Sequence, residues 1–222
     1  MSRHFEKEIE KLKKKILHLS AMVEESLTLA VKAVTERDSE LARQIIDVDD
    51  QIDDMEVDVE EECLKILALH QPVAIDLRFI IAVLKINNDL ERIGDLAGNI
   101  AKRTTSLAQW ETREVPYDLP EMLKMAVSMV KKSTDALINM NSDQAREVCS
   151  SDDHMDEMHR LAFKAVQEEI RKKPERVEYY ILLLSISRIL ERIADHATNI
   201  AEDVTYMVEG EIIRHRGGEH DF

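Results

Sequence analysis

Four pairs of carboxylates stand four residues apart in this sequence: Asp49/Asp53, Glu91/Asp95, Asp152/Asp156 and Glu191/Asp195. On an α-helix that spacing separates two residues by about 40° in azimuth and about 6 Å in height, so their side chains can converge. Neighbouring like charges lower helix stability by roughly a few tenths of a kcal/mol, and solvent or a cation must offset this. Four carboxylates facing one another would repel strongly without a metal ion among them. Oxygen-only ligand sets favour hard cations such as Ca²⁺, Mg²⁺, Mn²⁺ or iron, with Zn²⁺ possible. Asn99 and Asn199 lie one further turn along the same faces, where each can add a carbonyl ligand or orient a carboxylate. The plainer reading of each pair is a solvated acidic face.

The pairs belong to a duplication. Leu90-Glu91-Arg92-Ile93-Gly94-Asp95-Leu96-Ala97-Gly98-Asn99-Ile100-Ala101 aligns without gaps on the stretch from Leu190 to Ala201, and nine of the twelve positions are identical. The segment from Asp38 aligns on the segment from Asn141 in the same way, and Pro72 corresponds to Pro174. A shared core accounts for matching Leu, Ile and Ala. It does not account for matching Glu, Arg, Asp and Asn.

Long helices must position these residues. Only 5 Gly and 4 Pro occur in 222 residues, too few breakers for a sheet protein. Apolar residues recur at helical spacing nearly throughout, beginning with Phe5, Ile9, Leu12, Ile16 and Leu19. The pattern predicts an all-α fold of six long helices forming two tandem, pseudo-symmetric three-helix bundles. The repeats span residues 1–107 and 120–209, with a linker at 108–119 and a polar tail at 210–222. Asp38 is expected to cap the second helix, Pro72 to sit in the first turn of the third, and Gly210 to end the last. Helices two and three join through a very short turn at His70-Gln71, so they should lie antiparallel and adjacent. Counted from that turn, Asp49 and Asp53 lie about 32 and 26 Å away, and Glu91 and Asp95 about 31 and 37 Å. The second half gives about 32 and 26 Å against 27 and 33 Å. Shared height permits a joint site in each half; rotation about each axis decides it.

The formal net charge of −15 argues against nucleic-acid binding. The one basic patch, Lys11, Lys13, Lys14 and Lys15, reads as a solvated helix face. Cys63 and Cys149 are isolated thiols that fit a reducing compartment. No apolar run of about 18 residues and no signal-peptide core occurs, so a cytoplasmic protein that does not span the membrane is expected. Arg92 and Arg192 read as salt-bridge partners. His154, His159 and His196 lie near the acidic pairs, either as metal ligands or as isolated surface histidines. Gly94 and Gly98 either admit a close neighbour or merely weaken the helix.

At these residues the chain closely resembles the PhoU family of phosphate-uptake regulators. The resemblance is carried by Gln71-Pro72-Val73-Ala74 with Asp76-Leu77-Arg78, by LERIGDLAGNIA from Leu90, by LERIADHATNIA from Leu190, and by Val208-Glu209-Gly210. It implies a fold of two similar three-helix bundles, often a homodimer, with multinuclear iron or zinc clusters held by the four acidic pairs. It also implies action with the ATPase of a phosphate ABC transporter and a membrane sensor histidine kinase. There such a protein represses starvation responses when phosphate is ample, as a regulatory adaptor and not an enzyme. The QPVA-x-DLR element has no second copy, Lys173-Pro174-Glu175-Arg176-Val177 standing in its place. One rival is a ferritin-like, carboxylate-bridged metalloenzyme. Its usual Glu-x-x-His pairs are missing, because no Glu stands three residues before any of the 8 His. The other rival is a metal-free helical scaffold.

Overall fold

The structure, a computed structural model, describes residues 3–210. Six helices follow one another: α1 (Arg3–Glu36), α2 (Ser39–His70), α3 (Ala74–Leu107), α4 (Leu119–Asn139), α5 (Ser142–Lys172) and α6 (Val177–Glu209). A single 3₁₀ turn, Pro174–Arg176, precedes α6. There is no strand among the described residues, and no helix among them is long and apolar enough to cross a membrane. The polar tail expected at 210–222 lies outside them after Gly210.

Local chemistry sets the helix ends, and it does so twice. Arg37 and Met140 turn left-handed (φ 57° and 50°), and each is followed by a capping side chain. Asp38 accepts from the backbone N–H groups of Glu40 and Leu41, as Asn141 does from Asp143 and Gln144. Gly210, at φ 78°, ends α6 as expected. Pro72 is a correction. It lies ahead of α3, because Gln71 ends α2 in the left-handed region and Val73 is extended, so the helix begins only at Ala74.

In each half the three helices pack on one another, and the halves join where α3 meets α6 and α1 meets α4. One continuous core results. Leu12, Leu19, Val23, Leu90, Ile93, Leu190 and Ile193 are fully buried in it, and such side chains each contribute about 1.5–3 kcal/mol on leaving water. Polar pairs fix the α3–α6 register: Lys85 with Asp203, Asp89 with Asn199, and Arg103 with Ser185. The two helices therefore run antiparallel. Residues 91–95 of α3 fall level with residues 193–197 of α6.

The connection between α3 and α4 is pinned. Arg37 donates to the carbonyls of Leu107 and Thr112 and to the hydroxyl of Tyr179. That hydroxyl donates to the Glu114 carbonyl, Tyr117 donates to the Leu183 carbonyl, and Trp110 packs against the Tyr179 ring. Tyr179 itself is fully buried. A segment that reads as a linker thus forms part of the contact between the halves.

Candidate metal centres

In the first half, α2 supplies Asp49 and Asp53 and α3 supplies Glu91 and Asp95. These residues sense one another. Burial first, then the charges of Asp95 and Asp53, push the Asp49 carboxyl upward, tempered by Lys102. Asp53 is raised by burial and by Asp95, and Glu91 by burial and by Asp95 with Arg92 opposing. Asp49 lies directly over Gly98: a Cβ there would stand 3.1 Å from Asp49 Oδ2. Gly94 meets the Ile52 side chain at the same separation. The two glycines thus admit side chains of α2, and the closeness sets Asp49 against α3.

The second half repeats the arrangement. Burial, then the charges of Asp195 and Asp156, push Asp152 up to about 6. Glu191 is raised by burial and by Asp195, and Asp195 by burial and by Asp156. The Thr198 hydroxyl replaces Gly98 and faces Asp152, close enough to restrain its shift. Even so, neither Asp152 Oδ1 nor Thr198 Oγ1, both buried, completes a hydrogen bond. Buried oxygens rarely go without a partner. Asp53, Asp156 and Asp195 are exposed and the other five half-buried, so each centre opens to solvent. Partly desolvated carboxylates that repel one another, with one buried oxygen orphaned, suit a hard cation. The donor set fits a metal, although three of these oxygens do not come within 4.8 Å of one another in either half.

Glu56 escapes a reading built on pairs, although its counterpart His159 is in view there as a candidate ligand. Glu56, three residues beyond Asp53, corresponds in the duplication to His159, three beyond Asp156. Glu56 accepts from Asn87 Nδ2, and His159 Nδ1 bonds Ser187 Oγ, Asn87 and Ser187 being counterparts as well. Burial and Glu60, then Asp53, raise Glu56; burial and Arg188 lower His159 while Asp156 pulls it up. Both side chains border the acidic centres. Extending the repeat alignment by one residue was the available signal for Glu56.

Other expected residues fall as follows. Asn199 Nδ2 donates to Asp89 across the α3–α6 contact, and His196 Nδ1 meets the same carboxylate at 2.8 Å. His159 and His196 are thus half-buried and engaged, unlike isolated surface groups. Asn99 is half-buried beside Gly98. Arg92 pairs loosely with Glu91 and Asp95 at 3.4 and 3.7 Å. Lys11 pairs with Glu62 and Lys15 with Asp58, which ties much of the basic patch to α2. Burial pushes Cys63 up to about 12 and Cys149 up to about 11, so both thiols stay protonated and inert.

Fold and site together define a duplicated three-helix-bundle protein with one acidic centre per half. The family model described as the PhoU domain matches residues 16–104 and 119–204. The phosphate-specific transport system accessory protein PhoU homolog of Pseudomonas aeruginosa is 37% identical over 220 residues, 98% of this chain and 90% of that relative. The PhoU protein of Escherichia coli, named in the same terms, is 30% identical over 221 residues, 99% of this chain and 91% of the relative. The crystal structure of PhoU from Pseudomonas aeruginosa superposes with a TM-score of 0.89 at 36% identity, covering 93% of this chain and 100% of that one. A phosphate transport system regulatory protein, PhoU from Streptococcus pneumoniae, gives 0.86 at 30% identity, covering 94% and 99%. This chain belongs to the PhoU family.

Proposed function

We propose that the chain is a non-enzymatic, cytoplasmic regulator accessory to a phosphate-specific transport system, with a hard metal held in each half. Family membership along nearly the whole length supports the regulatory role, since the relatives are named as accessory proteins. The observation that carries the metal is the twin set of mutually repelling carboxylates, with Asp152 Oδ1 unpaired. They are half-buried at Asp49, Glu91, Asp95, Asp152 and Glu191 and exposed at Asp53, Asp156 and Asp195. Asp49, Asp53, Glu91 and Asp95 would hold one ion or cluster, and Asp152, Asp156, Glu191 and Asp195 the other. Iron or zinc are the proposed occupants, and Asn99 the auxiliary group of the first centre; its counterpart Asn199 is engaged by Asp89 instead. The bound charge would neutralise the repulsion and fix α2 against α3 and α5 against α6.

The proposed partners are the transporter's ATPase and a membrane sensor kinase, with a second copy of this chain completing a homodimer. The α2–α3 connection suits a protein partner: Leu69, Val73 and Ile75 expose 63, 74 and 68% of their surface there. Deleting the gene in its host is expected to switch phosphate-starvation genes on in phosphate-rich medium, with wild-type protein restoring silence. Reporter genes that stay silent after deletion would remove the regulatory reading.

A further inference from the structure

Outside the acidic centres, one cluster gathers metal-ligating atoms more tightly than either of them. Among the described residues, only His4, Glu8 and His70 bring three such atoms within 4.8 Å of one another. His4 Nε2 lies 3.4 Å from Glu8 Oε1, and His70 Nε2 lies 2.5 Å from Glu8 Oε2. Glu8 is buried at 6% exposure, whereas His4 leaves 70% of its side chain in solvent. The two imidazoles meet edge to face, their centroids 5.7 Å apart, and Phe5 packs on the His70 ring from the core side.

We propose that His4, Glu8 and His70 form a zinc site that clips the start of α1 to the end of α2. The spacing supports it, because His4 and Glu8 are four residues apart on one helix face and present their ligand atoms together. Two imidazoles and one carboxylate make a set that zinc takes with a fourth position open to solvent. Tetrahedral ligands at about 2.0–2.1 Å from the ion stand about 3.3 Å apart, and the exposed His4 ring has room to adjust. His70 is the last residue of α2, where the negative end of the helix dipole favours a cation.

A competing cation is already in place. Lys65 Nζ reaches Glu8 Oε1 at 3.2 Å, and it also reaches Glu62 Oε1 at 3.2 Å. Lys65 can therefore yield Glu8 to a metal and keep Glu62 as its partner, while Lys11 holds the other Glu62 oxygen. The site uses none of the acidic pairs, so it stands or falls separately from them.

Imidazole nitrogen resonances of the full chain, stripped of metal and titrated with Zn²⁺, read this site directly. Both His4 and His70 ring nitrogens should shift with one equivalent of zinc in an E91Q/E191Q background, where the acidic centres no longer compete, and in the wild-type chain with the further equivalents added once those centres are filled. His4→Ala removes an exposed ligand without touching the core. It should weaken binding beyond the roughly 10–100-fold that loss of a supporting group costs at metal sites. Lys65→Met should tighten binding on the order of 30-fold, the worth of one ammonium repelling a divalent ion at about 4 Å in water. A purely structural ion-pair cluster would give no such gain. Resonances of His4 and His70 that ignore zinc, or a midpoint unchanged by His4→Ala, would overturn the proposal.

Discussion

The two halves run the same plan with different local parts. Each places a DxxxD pair from its second helix against an ExxxD pair from its third, and each starts its second helix with a left-handed residue and a capping side chain. They differ where the centres meet their surroundings. Gly98 leaves Asp49 pressed on α3, while Thr198 puts a hydroxyl beside Asp152; Glu56 borders one centre and His159 the other. The helix connections differ as well. Gln71 and Ala74 are both left-handed around an exposed apolar turn, whereas Lys173 and Arg176 are tied by ion pairs to Glu114. The carboxylates persist where the framing changes, which is what a shared ion would require. The unshared tip suits a partner that is met once.

Transplanting one half's residue into the other separates packing from charge. Gly94→Ala copies Ala194, yet its Cβ would meet two Ile52 carbons at 3.1 Å in a filled core. Overpacking a branched side chain that cannot withdraw costs about 1–3 kcal/mol, so we expect net destabilisation in chemical denaturation. An unchanged midpoint would mean that the core at Ile52 gives more easily than its burial implies. Gly98→Ala meets only the tip of Asp49, which can swing aside. The metal-free protein should gain up to about 1 kcal/mol of helix propensity, with first-half metal affinity lowered as Asp49 moves.

The smallest effect depends on pH. Asp152 titrates near 6 in the folded chain against an ordinary value of 3.8. The folded state therefore binds the extra proton, and that contribution to stability is full below about 3.8 and lost as pH rises through about 6. Asp152→Asn in chelator-treated protein should match wild type near pH 4 and become the more stable of the two toward pH 7.5. Partial solvent exposure keeps this difference modest. Thermal melts across that range check it, and a variant losing ground as pH rises would reverse the sign.

Much of this architecture is legible in the residues themselves. Helical periodicity and the Asp38 and Asn141 caps mark the rods, and antiparallel geometry sets the acidic pairs at one height. Azimuth is not legible from one strand of spacing, so Asn199 turning toward Asp89 of the other half was out of reach. The same holds for His4, Glu8 and His70, which are joined only by the packing of α1 on the end of α2. Pro72 misled because a proline suits a first helical turn as well as the connection before one. Glu56 stayed hidden because it breaks the four-residue rhythm that reveals its neighbours.

The central claim is that both sets of carboxylates hold metal. Elemental analysis of the full chain, purified without chelators, tests it most directly beside the single variants E91Q and E191Q and the double variant. The account expects substantial bound metal in the wild-type chain, a loss of roughly half of the acidic-centre metal in each single variant, and in the double a loss of all but what the separate His4–Glu8–His70 site retains. Negligible metal in the wild-type protein, or a content indifferent to all three variants, would contradict it.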